Sequence, residues 1–408
     1  MKKSDEDLLN EETLVTIEHH NKKNKTILFD FLDSKHFNRF MENYDSPFEN
    51  PNDASMVMFY NFNFSKKFQL GVYYNVKKSI SELLIEAELV SDSDVILFKI
   101  NVKGRDIREF IVASNVSAKY IYEDINDGQN VNNTPEKPFL ALADGLSERM
   151  LIVKCVGQGS WNEFSFSGDV KVVYDIGTSY SHNRQTVKKL MNLRDNDYQK
   201  SNPIIVISHW DVDHYHMLLE AEDQTIKSVK AFIYRSLVPN KTSRKLLDRF
   251  KVLNPSALFP VQEEIPIGGK TSDKLVKIFG DRYGFFIFNG SKNRDRNKAG
   301  LLIALKTRTQ VIVLGADFYY EQINKYVLPN FYYKHNHYLI VPHHGGEAGK
   351  FIYENLNSIC KDAIISVGGM YSYTHPLYVV KEELRNKKFR LINFKGKDSP
   401  FQYELILH

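Results

Sequence analysis

Short apolar stretches in the first third of the chain predict a mixed, mostly β domain over residues 15–125. Strand candidates, rich in β-branched and aromatic residues, are 26–31, 68–74 and 95–100. A helix is predicted at 79–89, where apolar residues recur with helical spacing. Nothing in this region indicates a chemical role.

Polar segments divide the chain. Residues 1–14 are polar, and we expect a flexible N-terminus there. Residues 126–140 begin with a run of Asn, Asp and Gly that is typical of a linker. With 408 residues available, the division predicts a second, larger domain over 141–408.

Apolar runs alternate with amphipathic segments from residue 150 onward, which predicts an α/β domain built in layers. The expected strands are 150–156, 164–166, 171–175, 203–207, 229–234, 285–288, 311–317, 338–341, 363–367, 389–394 and 402–407. The expected helices are 184–193, 217–221, 241–250 and 379–384. Run 203–207 is short, β-branched and opened by a proline, which favours a buried parallel strand.

Two histidines and two aspartates follow that parallel strand, within the heptad 208–214. On an extended backbone His209, Asp211 and Asp213 would share one side, while His214 would point elsewhere. This suits two adjacent metal ions, one on the first His and Asp and one on the second pair. The alternative is an ordinary solvated loop at a strand end.

Further candidate ligands follow or border other apolar runs. They are Asp317, the pair His343 and His344, and His375. Each alone has an ordinary explanation, such as a cap or a turn. Because open α/β sheets place their sites outside the carboxyl ends of strands, the combination predicts a dinuclear metal site.

Composition is that of a soluble globular protein, with 42% hydrophobic and 25% charged residues. No apolar run reaches the roughly 18 residues needed to span a bilayer, and the polar start is unlike a secretory signal. Cys155 and Cys360 are isolated, which disfavours disulfides and a thiolate zinc site. We therefore expect a cytoplasmic protein without a membrane partner.

Charge differs between the two halves. Residues 1–140 hold 17 Lys and Arg against 23 Asp and Glu, whereas residues 141–408 hold the other 37 and 27, a balance of +10. A basic surface attracts polyanions, although such a balance is also compatible with a solvated surface. The acidic first domain could mask the basic face or bind a regulatory partner.

The order of these motifs resembles the metallo-β-lactamase fold and, more narrowly, the hydrolase domain of the bacterial competence DNA-uptake channel protein. The matching motifs are Val156 to Gly159, Asp175 to Gly177, Ser208 to His214, Gly315 to Asp317, Val341 to Gly345, and His375 with Pro376. The resemblance covers roughly residues 148–400. It implies a metallo-β-lactamase-like αββα sandwich, here preceded by a mostly β (α+β) domain that the resemblance does not reach.

The resemblance also implies roles for individual residues. His209 and Asp211 would bind one ion, and Asp213 and His214 would bind the other, completed by His343 or His344, with Asp317 bridging both. Asp213 and His375 are the expected catalytic residues, His375 as a phosphate contact or general acid. Asp175 is expected to organise the sheet edge rather than bind metal.

The chain departs from the family pattern in two places. Cys155 and Ser160 flank the Val-Gly-Gln-Gly turn where aspartates are usual. Tyr215 and His216 replace two glycines after the heptad, and they could narrow the mouth or contact substrate.

The expected activity is metal-dependent hydrolysis, in which two ions hold a bridging hydroxide as nucleophile. Oxygen-rich ligands make manganese plausible beside zinc. A phosphodiesterase, and in particular a nuclease with nucleic acid as substrate, is the leading hypothesis. Its expected substrate contacts are Lys292, Arg294, Arg296, Lys298 and His216. The alternatives are hydrolysis of a small ester, lactone or phosphocholine-type molecule, and a metal-bearing binding module.

Overall fold

The chain forms two compact units. The computed structural model describes residues 9, 11–22, 25–42, 56–63, 68, 72–80, 96–101 (backbone only), 106–114, 138–139, 148–179, 182–262, 272–280, 284–291, 293, 295–331, 334–354, 359–367, 375–393 and 402–408. The first unit comprises Met1–Asn130, Tyr180–Thr186 and Leu237–Asp248. The second comprises Val131–Ser179, Val187–Ser236 and Arg249–His408. The linker expected at 126–140 stays a prediction, because most of that segment lies outside the described residues.

The first unit contains a six-stranded sheet in the order β5-β3-β2-β1-β4-β6. Its strands are β1 (Leu14–Asn21), β2 (Thr26–Phe31), β3 (Met56–Tyr60), β4 (Tyr73–Val76), β5 (Ile96–Asn101) and β6 (Ile111–Ala113). Its neighbouring strands are antiparallel, apart from β3 and β5, which are parallel. Helix α1 (Ser34–Met41) packs Phe37 and Phe40 against Phe31, with ring centroids 5.1 Å apart in both pairs.

The predicted strand at 26–31 is confirmed, and the one at 95–100 is displaced by a single residue. Of the strand predicted at 68–74, residues 73 and 74 lie in β4, Phe68 and Val72 lie outside any strand, and 69–71 fall outside the described residues. The helix predicted at 79–89 falls almost entirely outside the described residues.

The second unit contains two seven-stranded sheets, in the orders β12-β11-β10-β9-β8-β7-β20 and β13-β14-β15-β16-β17-β18-β19. The strands of the first are β7 (Arg149–Lys154), β8 (Trp161–Phe166), β9 (Asp169–Ile176), β10 (Ile204–Val206), β11 (Ala231–Arg235), β12 (Leu258–Val261) and β20 (Gln402–Leu407). Those of the second are β13 (Leu275–Gly280), β14 (Phe285–Gly290), β15 (Leu301–Lys306), β16 (Gln310–Leu314), β17 (Asn336–Ile340), β18 (Ile359–Ile365) and β19 (Arg390–Asn393).

Both sheets mix parallel and antiparallel pairs. In the first sheet β9, β10, β11 and β12 run parallel, which confirms the parallel strand predicted before the heptad. In the second sheet β16, β17, β18 and β19 run parallel. Parallel strands present their carboxyl ends at one edge of a sheet, which is where each candidate ligand group was expected.

One hydrophobic core lies between the two sheets. Tyr174 and Ile233 contribute to it from the first sheet, and Ile303 and Leu314 from the second. Side chains alternate along β16, so that Val313 instead joins a second cluster with the helical segments on the other face of that sheet. Inter-sheet packing of this kind fixes the strand ends relative to each other, and hence the side chains they carry.

Five α-helices of at least six residues occur in the described part of the chain. They are α1, α2 (Arg184–Ser201), α3 (Asp223–Ser228), α4 (Lys241–Leu253) and α5 (Tyr378–Asn386). The helix predicted at 217–221 is wrong in type, because His216–Glu220 is a 3-10 turn and α3 begins after it. No helix in the described ranges has both the length and the apolar character to cross a membrane.

Two buried carboxylates explain why Leu237–Asp248 belongs to the first unit. The backbone N–H of Thr242 donates to Oδ2 of Asp30 (3.2 Å), and Nδ2 of Asn240 donates to Oε1 of Glu18 (3.0 Å). Burial, and then the charge of Glu18, raise the pKa of Asp30 well above its usual 3.8. Polar contacts between residues about 200 positions apart therefore anchor the start of α4.

Candidate metal centre

The heptad after β10 forms a turn and does not continue as a strand. Val212–His214 is a 3-10 turn, so the expected extended backbone is wrong at this end. The N–H of Ser160 donates to the carbonyl of Asp213 (3.0 Å), which holds the turn against the residue that precedes β8. As a result His214 points to the same place as His209, with their ring centroids 4.1 Å apart.

Asp317 follows β16 and lies among three histidines. The residue before it, Ala316, has a φ of 43°, a left-handed conformation that turns the chain sharply after the strand. Oδ1 of Asp317 lies 3.3 Å from Nε2 of His214. Oδ2 lies 3.8 Å from Nε2 of His209 and 3.7 Å from Nε2 of His343. The two oxygens of this carboxylate thus face different sides of the cluster.

His343 and His344 follow β17 with left-handed φ values of 50° and 53°. Their Nδ1 atoms lie 3.0 Å from the backbone carbonyls of Glu347 and Ser366 respectively, which orients each ring. Nε2 of His344 lies 3.5 Å from Oδ2 of Asp213. The two adjacent histidines therefore reach different carboxylates, and strain in their backbone is typical of a functional segment.

Asp175, at the end of β9, orients residues of the heptad through two contacts. Its Oδ2 lies 2.9 Å from Nδ1 of His214, and its Oδ1 accepts a hydrogen bond from the N–H of Ser208 (2.7 Å). The hydroxyl of Ser208 also lies 2.9 Å from Nδ1 of His209. Partners of this kind on Nδ1 leave Nε2 as the atom that can bind a metal.

Neighbouring histidines favour the ionised form of two carboxylates in the cluster, Asp213 and Asp317. Burial alone would raise the pKa of Asp317, but His343 and His214 lower it well below its usual 3.8. Burial likewise opposes ionisation of Asp213, while His214 and His344 lower its pKa. Burial lowers the pKa of His214, whereas the surrounding carboxylates raise it well above 6.5. Two ionised carboxylates in a buried cluster attract cations.

Buried nitrogen and oxygen atoms that could ligate a metal, and that have no hydrogen-bond partner, test whether the residues fit a metal ion. In the described part of the chain, Nε2 of His209, His214 and His344 and Oδ1 of Asp317 are buried without a hydrogen-bond partner. Donor atoms lie within 4.8 Å of one another in two groups, His209 with His214 and Asp317, and Asp213 with His214 and His344. Ligand atoms about 2.1 Å from a tetrahedral zinc are themselves about 3.4 Å apart. The residues therefore fit a divalent metal ion.

Asp211 lies at the edge of this cluster. Its Oδ2 is 3.4 Å from Nε2 of His209, and its Oδ1 is 3.1 Å from Nε of Arg296. Burial opposes ionisation, but Arg296 and His209 lower the pKa of Asp211 below its usual 3.8. The carboxylate of Asp211 therefore lies between His209 of the cluster and Arg296.

His375 follows residues 368–374, which lie outside the described ranges. Its ring centroid is 5.6 Å from that of His343. Burial, followed by the charges of His343 and His344, lowers the pKa of His375 to about 3. This shift favours the uncharged imidazole, and the expected role of His375 as a phosphate contact or general acid stays a prediction.

Two other expected substrate contacts, Lys298 and His216, have partners within the protein. Nζ of Lys298 lies 3.4 Å from Oδ2 of Asp273. His216 is 1% exposed and its Nδ1 lies 2.8 Å from a backbone carbonyl, so it does not line an open mouth. Lys292 and Arg294 lie outside the described residues.

Three supporting residues were not predicted. Ser208 belongs to the heptad, so its position beside two histidines was the available signal. Glu347 and Ser366 contribute only their backbone carbonyls, which leave no signal in residue type.

Comparisons with known proteins found similarity to solved structures only. No protein-family model matches the chain, and no curated protein matches it. Twenty-eight chains of solved structures match. Among them is the metallo-β-lactamase fold protein YhfI from Bacillus subtilis, at 12% identity and a TM-score of 0.36, covering 64% of this chain and 100% of that one.

Proposed function

We propose that this chain is a metal-dependent hydrolase with a metallo-β-lactamase-like αββα domain, and that it cleaves phosphodiesters in nucleic acid. The observation that carries the proposal is the convergence of donor atoms from three strand ends, with Asp317 3.3–3.8 Å from three imidazole nitrogens. The common core between two sheets supports the fold. The motif order, which resembles the hydrolase domain of the competence DNA-uptake channel protein, supports the substrate class.

Two ions can be assigned to the cluster. His209 and Asp211 would hold one, and Asp213, His214 and His344 the other, with Asp317 between them. The placement of Asp317 is supported by its two oxygens, of which Oδ2 faces His209 and Oδ1 faces His214. Three carboxylates make the donor set rich in oxygen, which suits manganese as well as zinc.

Divalent ions bound there would polarise a phosphoryl oxygen and lower the pKa of a water molecule to about 7. The chain itself supplies orientation. Asp175 and Ser208 fix the rings of His214 and His209, so that Nε2 of each is presented to the cluster. His375 would offer an uncharged imidazole to a phosphate oxygen. Because these groups are held before substrate arrives, little reorganisation is needed during the reaction.

A small ester or lactone is the second candidate substrate. It is favoured by the engagement of two expected phosphate contacts, Arg296 with Asp211 and Lys298 with Asp273. Cations paired in this way contribute less to binding a polyanion. The +10 balance of residues 141–408 favours nucleic acid instead.

The test is cleavage of end-labelled single- and double-stranded DNA and RNA with Mn²⁺, Mg²⁺ or Zn²⁺, beside hydrolysis of a p-nitrophenyl ester and a lactone. We expect metal-dependent cleavage of nucleic acid that falls steeply with salt and is lost in Asp317→Ala and Asp213→Ala. Asp169→Ala is the matched control, because Asp169 is exposed and pairs only with Lys171 among the described contacts. Turnover of the ester or lactone alone would move the assignment to the second candidate.

A further inference from the structure

Arg296 lies beside the cluster in a defined position. It begins the 3-10 turn Arg296–Lys298, which Asp295 caps by accepting a hydrogen bond from the N–H of Asn297 (3.1 Å). Its Nη1 donates to the carbonyl of Trp210 (3.2 Å), and its Nε lies 3.1 Å from Oδ1 of Asp211. The side chain is 13% exposed, so the guanidinium is largely removed from solvent.

This contact makes the two sides of the cluster unequal. Asp211 has an arginine within 4.0 Å, whereas in the described ranges the Asp213 and Asp317 carboxylates have only histidine nitrogens within that distance. Among the described residues, the side formed by Asp213, His214 and His344 therefore has no lysine or arginine within 4.0 Å of its carboxylate.

A fixed positive charge acts on a nearby metal ion in two ways. It takes up part of the negative charge that would attract the ion, and it repels the ion directly. Both effects are larger in a buried site than in water, because screening by solvent is weaker there. Both act on the ion held by His209 and Asp211 more than on the ion on the far side.

We propose that Arg296 makes the two ion positions of the centre unequal, so that the position at His209 and Asp211 binds its ion at least about tenfold more weakly than the position at Asp213, His214 and His344. The inference rests on the proposed function, since it assumes a centre with two ions. Arg296 is then a positioning residue for Asp211 and a determinant of metal occupancy, rather than a phosphate contact.

The test is isothermal titration of metal-free protein with MnCl₂. The wild type should bind in two steps that differ at least about tenfold in affinity. Arg296→Gln should strengthen the weaker step about tenfold and leave the tighter step within about twofold. Asp211→Asn should remove the weaker step alone. Arg296→Lys keeps the charge and should preserve the wild-type difference.

Arg390→Gln is the control for loss of an arginine–aspartate pair, because Nε of the exposed Arg390 lies 2.7 Å from Oδ1 of Asp362, which is not among the residues of the cluster. It should leave both steps unchanged, and circular dichroism should show that each variant is folded. Two equal steps in the wild type, or a weaker step that Arg296→Gln leaves unchanged or weakens, would overturn the inference. Absence of binding in this titration and in the same titration with ZnCl₂ would overturn the proposed function and the inference together.

Discussion

Oδ2 of Asp175 lies 2.9 Å from Nδ1 of His214, and both side chains are completely buried. The carboxylate fixes the ring and increases the basicity of Nε2, the atom that faces Asp317. We expect Asp175→Asn to weaken metal binding about 10- to 100-fold, because partners of this kind typically contribute that much. Titration with a competing chelator measures it, and Asp169→Asn on the same strand is the control. Unchanged affinity would show that Asp175 serves only the sheet edge.

A second prediction concerns Gly177, where two segments of backbone approach closely. A Cβ at this position would lie 1.8 Å from the carbonyl oxygen of Asp213. Gly177→Ala should therefore displace the turn Val212–His214 and destabilise the fold by about 1–3 kcal/mol. The midpoint temperature of thermal unfolding and the affinity for manganese should both fall. In Gly280→Ala the new Cβ meets the side chain of Phe286 at 3.0 Å, which can move, so a smaller effect is expected.

The third prediction is a dependence of stability on pH. Burial, with a smaller contribution from His335, lowers the pKa of His337 from 6.5 to about 4. Its uncharged form is thus favoured in the folded state. The contribution of His337 to the free energy of unfolding is therefore fully present above pH 6.5. It is lost as the pH falls toward 4, and it amounts to about 3 kcal/mol.

His337→Asn should remove this loss of stability at low pH. In the wild type Nδ1 of His337 lies 2.8 Å from the hydroxyl of Tyr353, and the asparagine side chain keeps a polar partner for that hydroxyl. Urea unfolding at pH 7 and pH 4.5 measures the difference, with exposed His408→Asn as the control. An identical loss of stability in wild type and His337→Asn would contradict the prediction.

A fourth prediction concerns the buried carboxylate of Glu163 and its partly exposed partner Arg194. Oε2 of Glu163 lies 2.9 Å from Nη2 of Arg194, and Oε1 accepts a hydrogen bond from the hydroxyl of Tyr198 (2.6 Å). Glu163 is fully buried, so Arg194→Met would leave its charge with one fewer partner. We expect a loss of about 3 kcal/mol in the free energy of unfolding, which Glu163→Gln in the same chain partly restores. Urea unfolding of both variants measures it, and equal stability of single and double variants would contradict it.

Local sequence pattern predicted much of the second unit. The run 203–207 indicated a buried parallel strand, and β10 pairs parallel on both sides. The heptad and the segments at Asp317 and His343 were placed at strand ends by the same reasoning. These features depend on residues close in sequence, where periodicity is informative.

Other features depend on distant partners. The turn Val212–His214 is held by Ser160, about 50 residues earlier, and no local pattern distinguishes it from an extended segment. The strand β1 was not predicted, because Glu18 interrupts its apolar pattern and is buried against Asn240. The contact of Arg296 with Asp211 is of the same kind, since it joins residues 85 positions apart.

Hydrolysis of bis(p-nitrophenyl) phosphate by metal-stripped protein, before and after addition of Mn²⁺ or Zn²⁺, tests the central claim most directly. We predict no turnover without metal, turnover after addition, and loss in Asp317→Ala, whose carboxylate lies within 3.8 Å of three histidines. Asp169→Ala should behave as the wild type. Turnover that is independent of metal, or unaffected by Asp317→Ala, would contradict a metal-dependent hydrolase centred on this cluster.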